Sequence, residues 1–281
     1  MNITELAKII HTEDAAKQYW RRLREDKGIV CKRCKGKEHH WLSIKSHWSC
    51  NKCDFRTTLK SGTVMENSKL PYRYWIHAIY LMLNTKKGAS ALAIQRQLNA
   101  KRYEPIWFMC QKIRLSMGNR DQNNVLKGKV EMDEAFVTVM ENIEDRPPKN
   151  KAEGPTQYTR GRGSERKEVV AVMASFGTKT LKNGKSKTFL KYLKMQVLLD
   201  CEAQTIKETV EENIDPQSKL FTDGHPSYKK LAGAIEQHIS KVTPKHMASK
   251  TLPVVHLAIS NLKRQLLGVH HCVSRGYLQS Y

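Results

Sequence analysis

Three kinds of hydrophobic pattern follow one another along this chain, and the changes between them mark its parts. Met1 to Arg24 alternates charged with apolar positions, and a short helical segment is expected over residues 1–25. From Pro71 the apolar residues Tyr74, Trp75, Ala78, Ile79, Leu81 and Met82 recur at the spacing of a buried helix face, which Lys86-Lys87-Gly88 stops. A second helix is expected from Ser90, its cap, to Leu98, and a third from about Glu104 to Met117 with Pro105 in its first turn. The polar run Asn119 to Asn124 reads as a linker.

Beyond the linker the period shortens. Val130 to Val137 alternates apolar with acidic or polar residues, as a half-buried strand does. Glu168–Phe176 and Phe189–Leu199 are the next strand candidates, followed by a helix from about Glu202 to Asn213. A short strand, Lys219–Thr222, ends at Asp223-Gly224, and a last helix runs from His256 to Leu267. The order predicts a multidomain chain: a helical piece over 1–25, a ribbon over 26–62, a helical segment over 63–122 and an α/β domain with a mixed sheet over 123–281.

Charge narrows the function. Of 281 residues, 49 are Lys or Arg and 27 are Asp or Glu, a formal charge of +22. Such an excess calls for a polyanionic partner, because ~6–10 phosphate contacts are enough to dominate affinity for nucleic acid. No apolar run approaches the ~18–20 residues of a membrane helix, and the N-terminus lacks the order of a secretory signal. A cytoplasmic, nucleoid-associated protein without a membrane partner is expected.

Seven cysteines, with no secretory context, argue against a disulfide framework. Cys31, Cys34, Cys50 and Cys53 form C-x2-C-x15-C-x2-C, the spacing of two short turns that close four thiolates around a tetrahedral, structural Zn²⁺. His39, His40 and His47 lie between the pairs as alternative ligands. Lysines and arginines from Lys32 to Lys60 surround the ribbon, with Trp41, Trp48 and Phe55 interleaved, a mixture suited to phosphate contact and base stacking as well as to a solvated face.

The short basic turn Asn99-Ala100-Lys101-Arg102 joins the second and third helices as in a helix-turn-helix, whose second helix enters the major groove. Periodicity alone describes a three-helix bundle with Trp107, Phe108 and Ile113 in its core. The cluster of Arg96, Lys101, Arg102, Lys112 and Arg114 favours the DNA-binding reading.

In the α/β part, Asp133 and Asp223 fall on strands whose ends are where such domains bind ligands. Two carboxylates meeting in so basic a protein suit Mg²⁺ or Mn²⁺, with two ions promoting in-line phosphoryl transfer. Between the first two strands, 141–166 holds Pro147-Pro148, Gly161, Gly163 and six Lys or Arg, and is expected to be mobile until DNA orders it through Lys149, Lys151, Arg160, Arg162 and Arg166.

These motifs, taken in order, resemble the insertion-sequence-1595 family of bacterial transposases. The resemblance runs through the paired cysteines, Ser61-Gly62-Thr63, Lys69-Leu70-Pro71, Lys87-Gly88-Ala89-Ser90-Ala91 and Val130-Glu131-Met132-Asp133-Glu134. It continues with Thr222-Asp223-Gly224, Ser227-Tyr228, His256, Ile259-Ser260-Asn261-Leu262-Lys263-Arg264, Leu267-Gly268 and His270-His271. It implies an RNase H-like catalytic domain with Asp133 and Asp223 as the first two metal ligands, Asn261 as the third and Lys263 near phosphate. It also implies double-stranded DNA as partner, both element ends and target, and a homo-oligomer assembled on DNA. His256 lies five positions before Asn261, off its helical face, and reads equally as a packing or capping residue. In the family the first aspartate motif runs into a glycine pair, absent here, and a further helix follows Tyr277-Leu278-Gln279. The expectation is therefore a C-terminally shortened catalytic domain. A Mg²⁺-dependent transposase is the first reading; an inactive, DNA-binding relic and an RNA-processing nuclease compete with it.

Overall fold

The structure, a computed structural model, describes residues 2–85, 88–140, 166–181, 184–231, 233–242 and 251–281. The chain divides into two units, Met1–Met117 and Gly118–Tyr281.

In the first unit the N-terminal piece is two helices, α1 (Ile3–Ile10) and α2 (Glu13–Lys27). Each has its own start: Asn2 and Glu5 form a capping box on α1, and the Thr12 side chain accepts the Ala15 N–H of α2. Three short antiparallel strands follow, β1 (His39–Leu42), β2 (His47–Cys50) and β3 (Arg56–Thr58). Their apolar interior is small: Ile29, Trp48 and Leu59, with Trp41 and Tyr72 at its margin. Trp48 is therefore core, edge-on to Trp41, and Arg24 and Arg21 cover the two rings. Base stacking on Trp48, an expectation of the sequence, is corrected by this burial.

Three helices complete the unit: α3 (Tyr72–Asn84), α4 (Ala91–Leu98) and α5 (Glu104–Gln122). α5 runs on into the second unit, so most of the expected polar linker is helical. Trp75, Ala78, Ala91, Ile94, Ile106, Met109, Cys110 and Ile113 form the shared core. Burial raises the Cys110 thiol to about 11, which keeps it a small apolar filler. Trp107 packs against this core, but Phe108 is 60% exposed, correcting its expected place inside.

The second unit is built on a sheet in the order β6-β5-β4-β7-β8. β4 (Lys129–Met140), β5 (Lys167–Thr180) and β6 (Ser186–Leu198) are antiparallel neighbours. β7 (Lys219–Asp223) and β8 (Gln237–Lys241) add on in parallel. The sequence pattern misses β8 because its five residues bury no apolar face. Alternation along β4 splits the side chains between two layers. Val130 and Met132 meet α6 (Ala203–Asn213) through Ile206 and Val210; Ala135, Val137 and Val139 meet α7 (Pro253–Gln265) through Val255, Ala258 and Ile259.

After α7 a π-helical turn, Leu266–His270, leads to β9 (Val273–Ser274), which pairs with the end of β4. The final 3-10 turn, Arg275–Ser280, buries Leu278. There the Gln279 side chain accepts the Val197 N–H at 2.7 Å and donates to the Met195 carbonyl at 3.2 Å, covering the outer edge of β6. Among the described residues no helix is long and apolar enough to cross a membrane.

Candidate active site and metal centre

Two sites emerge, one in each unit. In the first, the Sγ atoms of Cys31, Cys34, Cys50 and Cys53 all lie within 4.8 Å of one another. Each pair sits on a tight turn: Lys35 N–H donates to the Cys31 carbonyl, and Asp54 N–H to the Cys50 carbonyl. Lys35 and Asp54 occupy the matching positions with φ of 59° and 55°, so the two turns repeat one geometry. Gly36 keeps the space open, since a Cβ there would stand 3.3 Å from the Cys34 sulfur. The Cys34 backbone N–H draws Cys31 down to about 6; Cys53 is pushed up to about 12, where the Phe55 backbone hydrogen bond is outweighed by desolvation and the neighbouring thiols. Four soft donors held so closely fit Zn²⁺, which prefers four such ligands. His39, His40 and His47 turn a ring nitrogen to Lys37 O, Asn51 Oδ1 and Lys45 O, so the structure keeps to the four cysteines.

The second site is made by strand register. β4 and β7 run parallel with Glu131 opposite Phe221, so two steps further Asp133 and Asp223 stand level on adjacent strands and face α7. The backbone N–H of Glu134 donates to Asp133 Oδ1 at 2.9 Å, and that of His225 to Asp223 Oδ1 at 3.0 Å. From α7, His256 Nδ1 approaches Asp133 Oδ2 to 3.7 Å. Burial lowers its pKa; the Asp223 charge opposes that shift and the Lys263 charge assists it, so both residues lie within electrostatic reach of the ring. Among the described residues only the cysteines bring three or more candidate ligands within 4.8 Å of one another, so the two aspartates and His256 form a wider group.

The neighbouring glutamates face opposite ways. Glu131 is 3% exposed, and its carboxylate accepts the N–H groups of Val254 and Val255 at 2.8 and 2.9 Å. It thereby caps α7, whose own N-cap residue, Leu252, offers no side-chain bond. Burial raises its pKa and those two bonds resist the rise. Glu134 points to the other layer, where Tyr228 Oη donates to it at 2.6 Å. Burial is the main cause of its raised pKa, with the Asp133 and Asp223 charges adding to it.

Asn261 is exposed and lies roughly 140° around α7 from His256 at ~100° per residue, while Lys263 returns to the His256 side. The structure thus gathers Asp133, Asp223, His256 and Lys263, and leaves Asn261 on the opposite flank. Spacing from Asn261 sets His256 aside in the sequence; its spacing of seven from Lys263 is the signal that would have kept it. Lys101 and Arg102 are exposed between α4 and α5. Lys149, Lys151, Arg160 and Arg162 lie outside the described residues.

Comparison with known proteins agrees with the geometry. The family profile described as the ISXO2-like transposase domain matches residues 125–281, the whole sheet unit from just before β4. The chain belongs to this family, that of the insertion-sequence-1595 transposases. It is also 26% identical over 177 residues to an uncharacterized protein in transposable element ISH50 of Halobacterium salinarum, covering 61% of this chain and 58% of that protein. The chain thus matches little more than half the length of that relative. No solved structure matches.

Proposed function

We propose that the protein is a DNA transposase whose second unit cuts and rejoins phosphodiesters at Asp133 and Asp223. The observation that carries this reading is their level placement on adjacent parallel strands beneath His256 and Lys263. The strand order, three antiparallel strands followed by two parallel ones, supports an RNase H-like fold. The two aspartates would hold Mg²⁺ or Mn²⁺, hard cations that take one or two carboxylates and complete their shell with water and phosphate oxygens. Divalent ions bound there supply the charge that activates an attacking oxygen and stabilises the leaving one. The chain's own part is to aim the two carboxylates by the Glu134 and His225 N–H groups, to present a neutral imidazole beside Asp133, and to set Lys263 where a phosphate would pass. Asn261 keeps the third-ligand role only if α7 turns on binding DNA.

The first unit would recognise element ends. Zn²⁺ on the four cysteines would fix the ribbon, and α4 and α5 would act as a helix-turn-helix with Lys101 and Arg102 on phosphates. Two ends held together require a homo-oligomer, working in the cytoplasm on the nucleoid. The domain limits near residues 25, 62 and 122 belong to the same proposal.

The test is cleavage of end-sequence duplex DNA by the purified chain with Mg²⁺ or Mn²⁺. Asp133→Asn and Asp223→Asn should each remove cleavage while DNA binding stays within a few-fold. Full activity in both variants would refute the site. Binding without nicking at any metal level would favour a DNA-binding protein without turnover, and preferential cutting of RNA an RNA-processing nuclease.

A further inference from the structure

Between Glu168 and Asp200 the chain has no acidic residue and six lysines, at 179, 182, 185, 187, 191 and 194. The structure turns much of this stretch into a ribbon that leaves the sheet. The last β5 residue paired with β4 is Phe176, opposite Lys129. From Gly177 to Thr180 the strand pairs with β6, through Phe189, Thr188, Lys187 and Ser186. Residues 178–181 and 184–192 are exposed. Two strands ~4.8 Å apart that extend ~17 Å past their last neighbour bury almost nothing, so packing does not explain this length.

One face of the ribbon has a specific composition. Lys179 stands directly opposite Lys187, a like-charge pair that costs stability in an isolated sheet. Beside them Gly177 faces Phe189, and a Cβ on Gly177 would fall 2.7 Å from Lys191 Cε and 2.8 Å from Phe189 Cζ. The bare glycine therefore lets the aromatic ring and the Lys191 stem lie flat along the backbone. A bulge between Ser175 and Phe176 sits at the root. Lysines on an edge strand also deter pairing with other chains, and past Phe176 both strands of the ribbon are edges; within the sheet, Gln279 already covers β6 at 195–197, so the edge alone does not call for a ribbon of this length.

We infer that the β5–β6 ribbon is a second binding surface for duplex DNA, separate from the catalytic pocket. Its lysines meet phosphates, and its width is that of a two-stranded ribbon, which the major groove admits. It emerges past Lys129, at the start of β4: along β5, Gly177 lies five residues, ~17 Å, from the partner of Asp133, and the tip about 30 Å. At ~3.4 Å per base pair, a duplex held there is engaged roughly five to nine base pairs from the scissile phosphate, or is a second segment altogether. The inference rests on the transposase reading in taking DNA as the ligand.

The experiment uses the full chain and a random-sequence duplex, with affinity measured by fluorescence anisotropy from low to high salt. The triple variant Lys179→Gln, Lys187→Gln and Lys191→Gln should weaken binding and flatten the slope of log K against log salt by about 2–3, near 0.9 for each phosphate no longer neutralised. A control with the same charge change, Lys8→Gln, Lys17→Gln and Lys207→Gln, should leave the slope within about 0.5 of the parent. Mn²⁺ binding at the aspartates should be unchanged in both. If the parent binds duplex DNA and the ribbon variant matches it in affinity and slope, the ribbon does not touch DNA. If the ribbon variant loses binding to phosphatidylserine vesicles and not to DNA, the inference is also overturned. A parent that binds no DNA at all instead defeats the transposase reading itself.

Discussion

The two candidate metal centres reach their geometry by opposite routes. Four cysteines lie between positions 31 and 53, on a ribbon with three core residues, whereas Asp133 and Asp223 are ninety residues apart in a sheet filled on both faces. The ribbon has too little apolar interior to hold its donors together by packing alone, so its shape is expected to depend on a cation held by the four thiols. The sheet, packed on both faces, is expected to hold its carboxylates in place by its own core. Locality and dependence on metal go together here, and both can be tested separately because all five tryptophans, 20, 41, 48, 75 and 107, belong to the first unit.

The largest expected effect is on the ribbon. Cys34→Ser, or exhaustive chelation, should release the zinc and unfold the ribbon, a coupling on the order of 10 kcal/mol. Tryptophan fluorescence should report it, and elemental analysis should find one zinc per chain in the parent. An unchanged emission spectrum on chelation would show a ribbon that folds without metal.

Next comes Glu131→Ala, which leaves two buried N–H groups of α7 unpaired and should cost the second unit about 3 kcal/mol in urea unfolding followed by tyrosine fluorescence or circular dichroism. Glu131→Gln, which still offers an oxygen, should recover most of that loss. Tyr228→Phe should cost less, about 1.5–2.5 kcal/mol, because it strips the half-buried Glu134 of its donor. A loss below about 0.5 kcal/mol would mean that water replaces the phenol.

The smallest effect is on acid sensitivity, and each unit carries a group for it. Burial lowers the pKa of His77 in α3 and of His238 in β8 below the ordinary 6.5. In both cases the unfolded chain binds a proton more readily than the folded one. Stability is therefore complete above about 6.5 and declines as the pH falls through the lowered value. His238→Asn should flatten that decline for the second unit and leave the first unit's unchanged; His77→Asn should do the reverse.

Much of this is legible in the sequence, for physical reasons that differ along the chain. The cysteine spacing is local, and the structure closes it as read. Strands β4, β5, β6 and β7 and helices α4 and α6 fall within a few residues of their expected places because alternation and Ser90-type capping are local too. β8 is invisible since Gln237–Lys241 faces solvent along most of its length. Phe108 and Trp48 exchange expected places because periodicity gives a residue's face and not what covers it. His256 escapes a reading measured against Asn261 alone, since its distance to Asp133 is set by where Glu131 anchors α7.

The equal stride of β4 and β7 leaves the proposed active site intolerant of a change in length. One residue inserted between Lys219 and Asp223 would turn the second carboxylate through to the α6 layer, toward Leu220 and Ile206 and away from Asp133. Two inserted residues would restore its side of the sheet but lift it one rung, roughly 7 Å, above its mate. This strand therefore tolerates exchanges of one side chain for another better than any change in its length.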